Sequence, residues 1–500
     1  MAELDNNILV VSEPSIRPYK IEVPRLDEDE GGDKQTKTFG IDVPTVTING
    51  YDFQDHDIMS FRLSITDEIP ELTVRLKDSQ GTFDTSQYPR DGDAITIYIG
   101  SKNEDTFKSI HMDFDIVSIT SPRKGLPHSE RTYGFTGIAK IPGLFTEECR
   151  AFDEGNSLEH IQQVSSNLGL GMATNINSAN DSQVRIQAYE RTVDFVKGVV
   201  NASYIKEEAF QTFYIDQYYY LNFIEVNKIF NSKNVKGEDG QDFITSFSRS
   251  VSQESTNEDN DQITSKLYLT NNHSADGTGN KISQWALSND SSKISLKNGY
   301  KRILQMYDEL EGEKLIEFDI ESYTSTNLRD TEEPLKGRRD EFHYESHIKH
   351  KYIGRQQDYS LNGNVHSNHK YSMLNNYQNL RELEKIQLTV ELEAFNPGLY
   401  RYQKIPVIMY NVEPTKVAMN KETYKVLKEK GAKAEEKAFD FKDEGESDEG
   451  QEVTLDDFVS GHYIIGGIEY IYRTGEPSIR QKLTLLRREW PVLANSIKYK

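Results

Sequence analysis

Apolar and polar residues alternate along much of the chain. In ELTVRLKD (71–78), Leu72, Val74 and Leu76 fall on one side of an extended chain and Thr73, Arg75 and Lys77 on the other, the period of two expected of a half-buried strand. Ile95, Ile97 and Ile99 repeat it in DGDAITIYIG, entered through an Asp91-Gly92 turn. HMDFDIVSIT and RTYGFTGIAK predict two more strands, so the stretch to about residue 150 reads as a small antiparallel barrel or sandwich. The period then changes. In EGNSLEHIQQVSSNLGLG, Asn156 and Glu159 have capping-box spacing, Leu158, Ile161 and Leu168 follow at near-helical intervals, and Gly169 offers a stop. RTVDFVKGVVNASY predicts a second helix with Thr192 as N-cap and Val193, Val196 and Val200 on one face.

FYIDQYYYLNFIEVN (213–227) follows, with four tyrosines in seven positions. Asp216-Gln217 predicts a hairpin turn, after which Tyr219, Leu221 and Phe223 alternate with Tyr220, Asn222 and Ile224. Both faces of that strand carry large side chains, so both should be covered. Alternation resumes at SKLYLTNN, gives way to a polar segment at 331–380, and returns in KIQLTVELEAF, where Ile386, Leu388, Val390 and Leu392 oppose Gln387, Thr389, Glu391 and Glu393. RYQKIPVIMYN continues it, and GHYIIGGIEYIYRTGEPSIRQKLTLLRREW predicts a closing hairpin with Thr474-Gly475 near its turn. The charged insertion 416–456 reads as a solvated helix or loose segment, and residues 1–38 as a polar arm. The two β blocks suggest two related barrels in one chain.

With 500 residues and 36% hydrophobic content rich in Tyr and Phe, the chain fits a β-rich protein of several domains. A formal charge of −23 opposes direct grip on DNA, whose affinity for proteins comes largely from Lys and Arg. Acidic excess serves solubility, or a surface past which something must slide without sticking. The N-terminal residues have no signal-peptide pattern and no apolar run approaches a membrane span, so folding in the cytosol and no membrane anchor are expected. Cys149 is the one cysteine, which excludes an internal disulfide and a thiolate-rich metal site.

Candidate chemistry is thin. Gly169-Leu170-Gly171 and Gly277-Thr278-Gly279 lack the third glycine of a dinucleotide loop, with Thr174 and Ile282 in its place. NEDNDQ (257–262) starts like a calcium loop but has Gln262 where glycine is required. Five of eleven histidines lie between His343 and His369, and on a helix His343, His347 and His350 would share a face, yet Tyr344 stands where a zinc protease needs its glutamate. A glycosidase pair cannot be picked from 81 acidic residues without a fold. The tyrosine run is flanked by Asp216 and Glu225 rather than by basic residues, which favours a core hairpin over a platform for bases. No catalytic, cofactor-binding or metal-binding residue is assigned, no cofactor is expected, and the expected role is not enzymatic.

Taken together, several stretches resemble the baseplate hub proteins of contractile-tailed bacteriophages, which are related to the hub portion of type VI secretion spike proteins. DIMSFRLSITDEIPELTVRLKDSQGTF with YPRDGDAITIYIG resembles the family's first tube-type barrel. SLEHIQQVSSNLGLG and FYIDQYYYLNFIEVNKIF resemble its helix-plus-hairpin domain, and GNVHSNHKYSMLNNYQNLRELEKIQLTVELEAFNPGLYRYQKIPV with SGHYIIGGIEYIYRTGEPSIRQKLTLLRREW its second barrel. The resemblance implies an α+β, mainly β fold: two tube-type antiparallel β-barrel domains with a helix-plus-hairpin domain between them and a polar insertion in the second barrel. The corresponding segments are an arm (1–38), first barrel (39–150), helix-plus-hairpin domain (151–235), second barrel (236–330 and 381–500) and polar insertion (331–380).

It further implies a homotrimer whose six barrels match a hexameric tail tube on one side and a trimeric central spike on the other, with a channel for DNA. Spike, tube and neighbouring baseplate proteins are the implied partners, the tape-measure protein a further candidate, and DNA passes without specific binding. The implied location is the virion tail baseplate, assembled in the host bacterial cytoplasm. The chain has no array of short glycine-rich β-helix repeats, so the spike would be a separate protein. Alternatives from other classes are a hub-associated peptidoglycan hydrolase and the hub of a type VI or related injection device.

Overall fold

The computed structural model describes residues 8–20, and 44–230 apart from 54, 80, 82, 84–87, 91, 101–108, 122–130 and 207–208. Beyond 230 it describes 268–271, 281–290, 302–308, 312–318, 347–352, single residues at 368, 372 and 383, most of 386–412, 417–418, 439–440 and most of 453–487. The first strand, β1 (Leu9–Ser12), precedes a block of seven: β2 (Thr45–Ile48), β3 (Tyr51–Phe53), β4 (Ile58–Ile65), β5 (Glu71–Asp78), β6 (Ala94–Ile99), β7 (Ile110–Thr120) and β8 (Arg131–Ala139). The middle of the chain forms β9 (Glu147–Gly155), α1 (Ser157–Asn167), β10 (Gly171–Thr174), β11 (Gln183–Arg191), α2 (Thr192–Ala202), β12 (Gln211–Ile215), β13 (Tyr220–Glu225) and α3 (Val226–Phe230). There follow β14 (Leu269–Thr270), β15 (Ile282–Asn289), β16 (Arg302–Asp308), β17 (Gly312–Phe318), β18 (His347–Tyr352), β19 (Ile386–Leu392), β20 (Lys404–Ile408), β21 (Tyr410–Val412), β22 (Val417–Ala418), β23 (Phe439–Asp440), β24 (Val453–Leu455), β25 (Gly461–Arg473) and β26 (Arg480–Arg487).

The fold is mainly β. Its largest sheet has 13 strands among the described residues, in the order β15-β19-β26-β25-β4-β5-β8-β7-β6-β2-β3, with β20 attached to β25 and β14 to β20. Every pair along the main path is antiparallel. The sheet is large and curled. Bulges in β4, β7 and β25 interrupt the ladder, and bulges bend a strand and increase its twist. Alternation in the sequence becomes alternation in burial. Leu72, Val74 and Leu76 are fully buried while Thr73 and Arg75 are exposed, and Ile386, Leu388, Val390 and Leu392 face the core of the second block. What alternation could not show is that both β blocks share one sheet: Ser60–Ile65 of β4 pairs with Ile468–Arg473 of β25.

A separate four-stranded sheet, β1-β10-β13-β12, takes one strand from before the first block and three from between the blocks, and in it β10 runs parallel to β13. Every residue of β13 is buried, in accord with its two large-residue faces. Helix α1 begins with the expected box: Asn156 Oδ1 accepts from Glu159 N at 3.0 Å, and Glu159 Oε2 from Asn156 N at 3.0 Å. Its buried face includes Ile161 and Val164, and Gly169 ends the turn at φ +71°, where a side chain would be strained. In α2 the N-cap is Arg191, without a side-chain cap, and Thr192 is already helical. The reading of Thr192 as cap failed because β11 runs straight into the helix, leaving no loop residue before it.

Three further expectations change. Residues 8–20 are not a loose arm: β1 pairs antiparallel with β10, and the chain continues as a strap toward β7. His347 and His350 lie on the strand β18, so the helical period that would gather them with His343 does not apply; His343, His366 and His369 lie outside the described residues. Of the charged insertion, β22 pairs parallel with β23 and β24 pairs with β21, while the rest of 416–456 lies outside the described residues. NEDNDQ and Gly277–Gly279 also lie outside them.

Replacing an N-cap Asn by Ala costs about 1 kcal/mol. Asn156→Ala should therefore lower the urea midpoint of the unfolding phase that includes α1, whereas Asn156→Asp, which keeps the acceptor, should leave it nearly unchanged.

Candidate functional site: the junction of the two β blocks

The β4–β25 seam joins segments 407 residues apart. Glu469 is almost fully buried there. Lys482 stands directly opposite on β26, with Nζ 3.4 Å from Glu469 Oε2, and Arg62 reaches the other oxygen diagonally from β4. Opposite charges placed this way across a sheet favour one register over its neighbours. Close approach is made possible by Gly467: a Cβ there would lie 2.8 Å from Thr66 Cγ2 and 3.2 Å from the Thr66 Cα.

Arg401 locks the seam from the side. Its Nε donates to Gly466 O of β25 at 2.6 Å, and its Nη1 donates to Asp67 O just after β4. Its guanidinium lies 4.8 Å from the Tyr214 ring centre and 5.2 Å from that of Tyr402, within the range of cation–π attraction. Tyr214 Oη in turn donates to Arg401 O at 3.1 Å, and burial holds that hydroxyl well above its ordinary pKa, so it remains a donor. Ile215 N donates to Glu68 O at 2.8 Å. The hairpin strand β12 thus touches both blocks where they meet.

The other tyrosines of the run secure the remaining pieces. Asp216 organises the turn: its carboxylate accepts from Tyr218 N at 2.8 Å, Tyr220 N at 3.0 Å and Asn222 Nδ2 at 3.1 Å. The turn spans Asp216–Tyr219, longer than the Asp216-Gln217 pair expected, and places Tyr219 at φ +63°. Tyr219 Oη then accepts from Asp113 N of β7 at 2.8 Å, while Tyr220 Oη donates to Glu13 of the N-terminal strap. The strap is held along its length. Gly169 O accepts from Ser15 N at 2.9 Å and Ile16 N at 3.2 Å, Asp113 Oδ2 accepts from Tyr19 N at 3.0 Å, and His111 Nε2 donates to Tyr19 O at 2.8 Å. Gly169-Leu170-Gly171, weighed as a phosphate loop, is where the strap attaches.

Buried charges elsewhere are matched to structure. Wholly buried Asp181 accepts from Ser157 N at 2.9 Å and Tyr204 N at 3.1 Å and pairs with Arg185 at 3.6 Å. Arg185 Nη1 donates to His160 Nδ1 at 2.7 Å, and His160 Nε2 donates to Asp153 O at 2.8 Å. Burial, reinforced by Arg185, lowers the His160 pKa, so the ring is neutral and fixed in one tautomer. Its two nitrogens are engaged in holding α1 to β9 and β11. His462 is buried with Lys404 and Arg487 nearby, and burial first, then those two cations, push its pKa down to about 3. Among the described residues no group of three or more His, Cys, Asp or Glu is placed to hold a metal ion, and no helix is long and apolar enough to cross a membrane. Sequence reading found the tyrosine run but missed Arg401 and Glu469, whose importance depends on pairing between segments far apart in the chain.

No family model matches the chain, and no curated protein matches it. Among solved structures it is similar to a tail protein from Neisseria meningitidis MC58, at 8% identity and a TM-score of 0.45 over 90% of this chain and 98% of that one. It is also similar to the 43 kDa tail protein of prophage MuSo2 from Shewanella oneidensis, at 8% identity and 0.42 over 90% and 98%. A third is an E. coli component of the type VI secretion system described as structurally similar to T4 bacteriophage tail proteins, at 9% identity and 0.39 over 90% and 79%.

Hydrogen bonds to a charged group contribute about 1.5–3 kcal/mol each. Arg401→Ala should destabilise the chain by about that amount or more, and Arg401→Lys, which keeps charge but not the fork, should recover less than half, as read by chemical denaturation. For His462, the unfolded ring takes up a proton near pH 6.5, whereas the folded ring resists until about pH 3. Stability should therefore fall as pH drops through that interval, by about 1.4 kcal/mol per pH unit for one proton. His462→Gln should flatten the slope of unfolding free energy against pH.

Proposed function

We propose that this protein is a structural subunit of a phage tail baseplate hub. Three copies form a ring that adapts a hexameric tail tube to a trimeric spike, and leave a channel through which DNA passes. The observation that carries this reading is the single curled sheet whose two end strands differ. At one end, among the described residues, β15 pairs only with β19; at the other, β3 pairs only with β2. Residues Ile282–Asn289 of β15 contain no charge, and most of them, including Trp285, are exposed. Edge strands are ordinarily guarded by charge or proline because an open edge invites another strand. Here that guard is missing on an eight-residue strand.

A contact joining one copy's β15 end to the next copy's β3 end is head-to-tail, and such contacts close into rings when the rotation per copy divides a full turn. Two β blocks per copy then give six lobes from three copies, the number a hexameric tube presents. The order of segments resembling hub proteins supports the same reading. The −23 charge suits a lumen past which a polyanion must move without adhering. Spike, tube and adjoining baseplate proteins are the partners in this reading, and no catalytic step is assigned to the chain.

Cryo-electron microscopy of the purified chain with its spike partner should show threefold rings with six peripheral lobes and a central opening. Compact monomers at high concentration would overturn the proposal. Ala286→Lys with Ser288→Lys, both at exposed positions of β15, should shift rings to monomers in sedimentation velocity while the unfolding midpoint stays within experimental error.

A further inference from the structure

The core of the large sheet is unfinished at both of its end strands. At one end Leu388 and Val390 of β19 are fully buried, and Leu287 and Trp285 of β15 stand directly opposite them. Residues paired in this way project to the same face of a sheet, so Leu287 and Trp285 continue the core-facing row. Their burial does not keep pace: Leu287 is half-buried and Trp285 is 42% exposed. At the other end Val46 and Ile48 of β2 are buried, and opposite them on β3 stand Phe53, which is buried, and Tyr51, which is half-buried. The Tyr51 ring meets Phe53 edge-on, with 5.1 Å between centres. Each end strand therefore carries an aromatic side chain on its core side with part of its surface still in water. The outward sides differ, with Gln284, Ala286 and Ser288 on β15 and Asp52 on β3.

We propose that Trp285 of one copy packs against Tyr51 of the next, an aromatic pair that closes the core across the boundary between copies. This rests on the head-to-tail ring described above and adds the contact that decides which ends meet. When one strand adds to the edge of another, the sheet continues and the core-facing rows of the two strands merge into one layer. That brings Trp285 and Tyr51 onto the same face, where aromatic rings attract in offset or edge-on arrangements. On the opposite face Asp52 meets a strand without charge, so no like charge opposes it. Because β3 offers only three residues, backbone pairing there is short and side-chain packing supplies much of the contact. A second copy is favoured as the occupant because a single head-to-tail contact covers both unfinished ends. Pairing of β15 with another β15 would cover Trp285 and leave Tyr51 as it is.

Trp285 and Trp490 are the two tryptophans of the chain, so Trp490→Phe leaves Trp285 as the one reporter. The test follows assembly of this full-length chain by sedimentation velocity over a concentration series, with Trp285 emission and acrylamide quenching read in the same samples. The expected result is emission at shorter wavelength and weaker quenching as rings appear. Trp285→Ala and Tyr51→Leu, the latter keeping an apolar filler beside Phe53, should each raise the midpoint concentration of assembly about tenfold. The double variant should raise it by about the same tenfold, because both changes remove one contact. Rings in which Trp285 stays as quenchable as in the monomer would overturn the pairing and leave the hub reading standing. Absence of rings at every concentration would overturn both. Full additivity of the two variants, or weakening by Trp285→Ala with none by Tyr51→Leu, would also overturn the pairing and assign β15 another occupant. Should Tyr51→Leu lower the unfolding midpoint, the quenching of Trp285 in the chain with Tyr51 intact decides alone.

Discussion

The structure depends on the ladder between β4 and β25. Each β block alone would present a long open edge there, and an open edge in water invites association with other chains. Joined, the blocks form one sheet whose curvature is set by both. The join is specified three times over: by Glu469 between Arg62 and Lys482, by Gly467 against Thr66, and by Arg401 spanning Asp67 O and Gly466 O. A register slip of one residue would turn each strand's core side chains outward, and it would also separate Glu469 from both cations.

The tyrosine hairpin turns that seam into a four-way connection. Tyr214 touches Arg401, Tyr219 touches β7, and Tyr220 reaches the strap. A tyrosine suits each place because its ring fills space while its hydroxyl satisfies a polar group that burial would otherwise leave without a partner. Asp216, flagged in the sequence as acidic company unsuited to a nucleic-acid site, acts within the turn as an acceptor for three donors. Its charge is spent on local geometry.

Local signals in the sequence matched what they could encode. Strands with one buried face were legible at 71–78 and 386–392 because alternation records burial directly, and α1 was legible because capping is decided within four residues. Thr192 was misplaced because a strand that becomes a helix without a loop gives no boundary signal. The strap escaped notice because residues 8–20 are polar or exposed along much of their length and are held by the backbone of Gly169 and β10 and by the Asp113 and His111 side chains of β7, partners distant in the chain that no local pattern reveals. For the seam, Arg401 and Glu469 are ordinary charged residues until two distant strands pair. The tyrosine run was recognised as core, yet its role as connector follows only from what surrounds it.

The sequence separation across the seam has a consequence for synthesis. Arg62 and Glu469 are 407 residues apart, and chains grow at about 5–20 residues per second, so the edge of β4 waits roughly 20–80 s for its partner. During that time every strand of the first block has been made, while the β25 partner of its β4 border has not. A ribosome stalled before residue 461 would release a chain with that border permanently open, ready to take a strand from any neighbour. Arg62, projecting from β4, supplies a positive charge on the waiting edge, so the residue that later fixes register is already in place to discourage premature pairing.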